Sequence, residues 1–199
     1  MILALLLLGA PGPKTAVDAE IAFAGAAQTA GQWTAFRRYA AREAVMFTPR
    51  PVNALDWLRV REDPPKAMQW QPAVSYVACD GKWAVNTGAW QGADGRQGYF
   101  TTIWRRDGHG WRWLFDHGDT LLAPRVVPKK PRVQRAACGG ADRSNGFNAQ
   151  ASSNYGASGD ATLRWRWHVA PDNDRTLSVE LWDGKRYNRV IDDVVAAPQ

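Results

Sequence analysis

The sequence contains few of the residues that build covalent or metal-bound frameworks. It has 2 cysteines, Cys79 and Cys138, and they do not form a Cys-x-x-Cys pair. Two cysteines are too few for a disulfide-rich scaffold, and the missing pair argues against a redox motif or a structural zinc site. A Gly-rich phosphate loop and a serine-nucleophile elbow are also missing. We therefore expect no metal and no cofactor.

Long apolar runs are scarce as well, apart from one near the start of the chain. Residues 2–8 are uninterrupted apolar residues, followed by Gly9 and Ala10. This run is too short to span a bilayer, whereas a short apolar core followed by small residues is typical of a signal peptide. We therefore predict a signal-peptide-like segment over residues 1–15, no transmembrane span, and a periplasmic or secreted protein.

The two cysteines leave two alternatives open. In an oxidising compartment, Cys79 and Cys138 could form a disulfide that ties the chain near Cys138 to the domain before it. The other alternative is a pair of free thiols, one buried and one in a loop. Which of the two holds depends on whether the protein is exported.

Basic residues outnumber acidic residues by 25 to 19, and much of the excess is local. Residues 125–135 hold five basic residues and no acidic residue. Because prolines lie within and beside this run, we interpret it as a solvated, extended linker, with docking to an anionic surface as the alternative. Five charges without a recognised motif argue against nucleic-acid binding.

The rest of the composition is that of an ordinary globular protein with many tryptophans. Hydrophobic residues make up 45% of the chain, and there are 11 tryptophans that need a core or a ligand. Thr15 with Asp18 resembles a capping box that opens a helix ending at Gly31. Helical spacing then predicts a second helix through residues 33–40, and we expect a short strand at 44–47 and a third helix at 52–61.

From Trp70 the apolar pattern changes to a period of two. It predicts four strands, at residues 72–79, 83–91, 98–106 and 111–119, separated by short Gly-containing turns. Strands joined by such short turns form an antiparallel meander. The predicted fold class is therefore α+β, with helices packed on a curved antiparallel sheet.

This order of elements resembles the nuclear-transport-factor-2-like superfamily. Within it, the similarity is closest to the SnoaL-like and ketosteroid-isomerase-like group, in particular the domain of unknown function 4440 family. The resemblance covers residues 16–122 and implies a cone that encloses a small-molecule pocket, in a homodimer that packs through the outer face of the sheet. The segments that carry it are residues 44–49, 70–72, 87–88, 99–104, 110–113 and 116–119.

The chain after the cone lies outside this resemblance. Residues 123–159 begin with the basic run and continue as a Gly-, Ser- and Asn-rich stretch, which predicts a linker. Alternating residues at 163–169 and a hairpin through Asp183-Gly184 predict a three-stranded antiparallel ribbon over residues 160–192, before a tail at 193–199. We expect this ribbon to dock on the cone or on a partner, because it is too small to be stable alone. A base- or sugar-stacking platform is the alternative for its Arg/Trp alternation.

The fourth predicted strand of the cone carries the candidate chemistry. Alternation puts Trp113, Phe115, His117 and Asp119 on one face, which the resemblance turns into the cone. His117 with Asp119 is a candidate acid/base pair, since histidine titrates near neutrality and a carboxylate orients it. Asp116, on the opposite face, is a further candidate, or a brace for a helix or a dimer partner.

Six residues are predicted to contact a ligand in the cone: Trp57, Trp104, Trp113, Phe115, Tyr99 and Asn86. The ketosteroid-isomerase mechanism does not transfer, because the first helix lacks a tyrosine and Asp56 is the only acid in residues 44–61. Three functions remain: an exported protein that binds an apolar or aromatic small molecule, a cone enzyme that uses His117 with a carboxylate, and a dimeric scaffold with a filled cone. The first is the interpretation that we prefer.

Overall fold

The structure is a computed structural model that describes residues 12–141 and 154–197. The predicted signal-peptide core at residues 2–8 and residues 142–153 of the predicted linker lie outside the described residues. Within the described ranges, every helix is too short or too polar to cross a membrane.

Between residue 12 and the meander, the structure has three helices. The first, α1 (Ala16–Ala30), confirms the predicted capping box: Asp18 N donates to Thr15 Oγ1 at 3.1 Å, and Thr15 N donates to Asp18 Oδ2 at 3.0 Å. The second, α2 (Gln32–Tyr39), packs the Phe36 ring against Phe23 of α1, with ring centroids 4.8 Å apart. The third is shorter than predicted, because residues 51–53 form a strand and Asn53 then caps α3 (Ala54–Leu58).

The strands of the cone form one curved, seven-stranded sheet in the order β2-β1-β6-β5-β4-β3-β7. The predicted α+β class and the antiparallel meander of β3 to β6 are confirmed. The sheet as a whole is mixed, because β1 pairs in parallel with β6 and β7 pairs in parallel with β3. Its strands are β1 (Ala40–Phe47), β2 (Pro51–Asn53), β3 (Gln69–Val77), β4 (Trp83–Gln91), β5 (Gln97–Asp107), β6 (Gly110–Thr120) and β7 (Arg132–Arg135).

Residues 132–135 form strand β7, whereas the sequence predicted that they belong to a linker over residues 123–159. All four side chains of β7 are exposed, as in a solvated linker, but the backbone pairs with the edge of β3. Backbone pairing at a sheet edge requires no apolar side chain, so the hydrophobic pattern could not reveal this strand.

The C-terminal residues form a second sheet with four antiparallel strands in the order β11-β10-β9-β8. The four strands are β8 (Tyr155–Ala157), β9 (Leu163–Val169), β10 (Arg175–Trp182) and β11 (Tyr187–Val195). Compared with the predicted three-stranded ribbon over residues 160–192, the sheet has one additional strand, β8, and its last strand continues to Val195. The hairpin loop between β10 and β11 spans residues 183–186, which is longer than the predicted two-residue turn.

The second sheet covers the outer face of the cone sheet, defined here as the face opposite α1 and α2. The Trp165 ring lies 5.4 Å from the Trp83 ring, and the Trp167 ring lies 5.5 Å from Phe47. Both tryptophans are buried, so they dock on the cone as predicted and are not a solvent-facing stacking platform. The homodimer implied by the resemblance would use this same face, which the chain here covers with its own strands.

A disulfide joins Cys79, just after β3, to Cys138, just after β7. Around it, Cys79 N donates to Thr162 Oγ1 at 2.9 Å, and Ala137 N donates to Trp182 O at 2.9 Å. The disulfide therefore lies where the segment after β7 passes from the cone sheet to the second sheet.

Candidate functional site

A β-bulge in β6 decides which side chains enter the cone. Ile103 pairs with Phe115, but the next residue, Trp104, pairs with Trp113, so Leu114 is an extra residue on β6. An extra residue reverses the alternation on either side of it. The prediction that Trp113, Phe115 and His117 share one face is therefore wrong: Trp113 packs on Phe36 of α2, whereas the rings of Phe115 and His117 lie on the outer face.

The His117 side chain is buried between the two sheets. Its Nε2 lies 3.2 Å from Asp193 Oδ2, and Arg175 Nε donates to its Nδ1 at 3.4 Å. Accepting at Nδ1 leaves Nε2 as the protonated nitrogen that donates to Asp193. Burial lowers the pKa of His117 below its ordinary value, although Asp193 opposes this. His117 borders the cone cavity, but both ring nitrogens bind groups of the second sheet.

The cone encloses a cavity of about 590 Å³ between α1, α2 and the inner face of the sheet. Its wall includes several aromatic side chains, among them Phe23, Trp33, Phe36, Trp70 and Phe100. A volume of this size is typical of a small-molecule site, for which the general range is about 300 to 1,000 Å³. Four acidic residues also line it, and two of them, Glu20 and Asp116, lie on α1 and on the inner face of β6; the other two are Asp94 and Asp119.

Glu20 is fully buried on α1 and is held by three donors. Trp104 Nε1 donates to Oε2 at 2.7 Å, Trp70 Nε1 donates to Oε1 at 2.9 Å, and Asn86 Nδ2 donates to Oε2 at 3.2 Å. Burial raises the pKa of Glu20 to about 7, and the three hydrogen bonds oppose this rise. The donors therefore favour the ionised form of Glu20 in an otherwise apolar environment.

Asp116 lies on the same inner face, and among the described residues its one hydrogen-bond donor is Thr102 Oγ1, at 3.0 Å from Oδ2. Burial and the nearby Glu20 carboxyl raise the pKa of Asp116 to about 8. The side chain is only partly covered, because it opens on the cavity.

The surroundings of Glu20 and Asp116 stabilise a negative charge to different extents. Glu20 has three donors that stabilise a negative charge, whereas Asp116 has one among the described residues, so the pKa of Asp116 is raised further than that of Glu20. Such coupled groups titrate as a pair, and both forms of Asp116 are accessible near neutral pH. Asp116 can therefore donate a hydrogen bond to a ligand in the cavity, or exchange a proton with it.

The other predicted site residues have different positions. Trp104 and Asn86 act through Glu20, and neither lines the cavity. Tyr99 and Asp119 border the cavity. Trp57 packs on Trp33, with ring centroids 5.5 Å apart, and does not line the cavity.

Glu20 is absent from the site residues predicted above, although the sequence contains a signal for it. Ala16, Phe23 and Ala27 form the buried stripe of α1, and Glu20 occupies a position of the same stripe. A carboxylate among core positions of a helix requires buried donors, and is therefore a candidate for a perturbed pKa. Within the described ranges, no cluster of three or more His, Cys, Asp and Glu side chains is suited to hold a metal ion.

No protein-family model matches the chain. No curated protein matches its sequence. Two solved structures are similar to it, each with a TM-score of 0.38. One, a proposed aromatic ring hydroxylase from Novosphingobium aromaticivorans, is 19% identical; the match covers 54% of this chain and 87% of that chain. The other, a proposed Ca/calmodulin-dependent kinase II association domain from Exiguobacterium sibiricum, is 15% identical, with 57% and 97% covered. Similarity at this level carries no function to this chain.

Proposed function

We propose that the protein is a nuclear-transport-factor-2-like cone that binds a small apolar or aromatic molecule bearing a carbonyl or hydroxyl oxygen. The observation that carries this proposal is the cavity of about 590 Å³, which is lined by aromatic side chains and by the Asp116 carboxyl, whose raised pKa favours the neutral acid. Aromatic walls bury a flat ligand, and a neutral acid donates a hydrogen bond to its oxygen without the desolvation cost of a charge.

The test uses 2-naphthol as the probe, with binding followed by its fluorescence. We expect one molecule to bind per chain. Asp116→Leu should weaken binding about tenfold, because one lost hydrogen bond to a ligand costs about 1.4 kcal/mol. Met68→Trp, at a half-buried cavity residue, should abolish binding by filling the space.

The matched control for Met68→Trp is Val60→Trp, since Val60 is 75% exposed and lies outside the cavity. This variant should bind 2-naphthol as the unmodified protein does. If the unmodified protein and Met68→Trp bind 2-naphthol with equal affinity, the probe binds outside the cone, and the proposal is contradicted.

A second candidate function is proton transfer at the ligand, catalysed by Asp116. The observation that favours it is the raised pKa of Asp116, about 8, which makes both the acid and the base available near neutrality. In this role the nearby Glu20 carboxyl raises the pKa of Asp116. The ionised form of Asp116 removes a proton from an acidic carbon of a carbonyl compound in the cavity, and the resulting acid returns the proton to the ligand.

Hydrogen–deuterium exchange at the α-carbon of 2-tetralone tests this second function. The protein should accelerate exchange, and Asp116→Asn should reduce the acceleration by about 100-fold or more, which is the usual contribution of a general base. Glu62→Gln, at an exposed carboxyl, is the control and should keep the full rate. Binding of 2-tetralone without accelerated exchange would leave the binding function and exclude the enzymatic one.

The predicted localisation in the periplasm or outside the cell remains part of the proposal. The pairing of Cys79 with Cys138 supports it, because disulfides persist in oxidising compartments. N-terminal sequencing of the exported protein would check removal of the predicted signal segment. A homodimer also remains proposed, but it has to use a surface other than the outer face of the cone sheet, which the second sheet occupies.

A further inference from the structure

A second, smaller pocket lies at the other end of the cone sheet, where α1 and β6 begin. Its volume is about 110 Å³. This volume lies well below the general range of about 300 to 1,000 Å³ for small-molecule sites, so the pocket suits a small ion better than an aromatic ligand. The lining residues are Lys14, Thr15, Ala16, Val17, Ser75, Val77, Gly81, Trp111, Val133 and Arg135.

Helix α1 presents backbone donors to this pocket. The first N–H groups of a helix have no partner within the helix, and the helix dipole makes this end attractive to anions. The capping box uses Thr15 N and Asp18 N. The N–H groups of Ala16 and Val17, both of which line the pocket, remain as donors.

Two buried side chains at the same pocket have a polar atom without a partner. Ser75 is fully buried and Trp111 is 4% exposed. Neither Ser75 Oγ nor Trp111 Nε1 forms a hydrogen bond with any residue of the described part of the chain. An unpaired buried donor is costly, so two at one small pocket indicate a ligand that accepts hydrogen bonds.

The charges around the pocket have one sign. Lys14 and Arg135 contribute two cations, and no carboxylate lines the pocket. The nearest acid along α1, Asp18, is engaged with Thr15 N. Arg135 Nη1 donates to the carbonyl oxygens of Ala78 and Cys79, which fixes the guanidinium beside the pocket.

We propose that this pocket is a binding site for a small tetrahedral oxyanion of the phosphate or sulfate class. The first residues of α1, two basic residues, and Ser75 and Trp111, whose polar atoms have no partner among the described residues, all line one space of about 110 Å³. Donors at a helix start together with basic side chains form the usual anion site of proteins. The site is separate from the cone cavity, so it does not depend on the function proposed above.

The test is a titration with inorganic phosphate at constant ionic strength, followed by NMR. Saturable shifts are expected at the Trp111 indole N–H and at the Ala16 and Val17 amides. Ser75→Ala and Lys14→Gln should each weaken binding about fivefold, through loss of one hydrogen bond and one nearby charge. Lys82→Gln is the matched control, since Lys82 is exposed but does not line the pocket.

Parallel titrations identify the source of the anion. Tighter binding of glycerol 3-phosphate than of phosphate indicates a phosphate ester, and equal or weaker binding indicates a free ion. Acetate should bind more weakly than either, because it offers fewer acceptors. Two results would overturn the proposal: equal weakening of phosphate binding by Lys14→Gln and Lys82→Gln, or no saturable shift at the Trp111 indole. If Ser75→Ala fails to fold, Lys14→Gln still tests the proposal, because Lys14 is exposed.

Discussion

Asp116→Asn is expected to stabilise the protein at alkaline pH by several kcal/mol relative to the unmodified protein. The pKa of Asp116 is raised from 3.8 to about 8 on folding, so the folded state binds the proton more tightly than the unfolded state. The stability from this proton is fully present below about pH 4 and is lost as the pH rises through 8. At 1.36 kcal/mol per pKa unit, the loss is about 6 kcal/mol at most.

Urea unfolding at pH 5, 7 and 9 measures this effect. The unmodified protein should lose stability steadily from pH 5 to pH 9, since the raised pKa of Glu20 acts in the same direction. Asp116→Asn should flatten this decline, because an amide does not ionise. Glu62→Gln, at an exposed carboxyl, should keep the decline of the unmodified protein. An equally steep decline in Asp116→Asn would show that Asp116 is ionised in the folded state.

Trp165→Ala is expected to destabilise the protein by about 3 to 5 kcal/mol, the usual range for loss of a buried tryptophan. Trp165 is 5% exposed, and its ring packs on Trp83 of the cone sheet. It also lies directly against Gly156 of β8, where a Cβ atom would collide with the indole. The variant therefore removes a contact within the second sheet as well as the contact between the two sheets.

The control for Trp165→Ala lies on the same strand. His168 is exposed on the opposite face of β9, so His168→Ala should change the free energy of unfolding by less than about 0.5 kcal/mol. Thermal or chemical unfolding of both variants makes the comparison. Similar small effects for both would mean that the second sheet contributes little to the stability of the cone.

The sequence predicted elements whose patterns are local. The capping box of α1 and the four strands of the meander follow from short-range spacing, and all are present. The inward direction of Trp165 and Trp167 likewise followed from simple alternation. These features depend on neighbouring residues, and periodicity records them directly.

Features that depend on long-range pairing could not be predicted in this way. The extra residue Leu114 reverses the faces of β6, and nothing in the local alternation reveals it. The parallel pairing of β7 is made by the backbone of four exposed residues. These two features explain why His117 was expected in the cone and why residues 132–135 were expected in a linker.

The covering of the outer face by the second sheet has a consequence for synthesis of the chain. Residues 40–120, which supply six strands of the cone sheet, are made before residues 163–195, which supply most of its cover. Until then, Trp83, Val85, Ile103 and Phe115 form an apolar surface without a partner. Exposed surfaces of this kind are aggregation-prone in incomplete chains and are bound by chaperones. The nascent cone should therefore remain a chaperone client until β9 and β10 emerge and close over it.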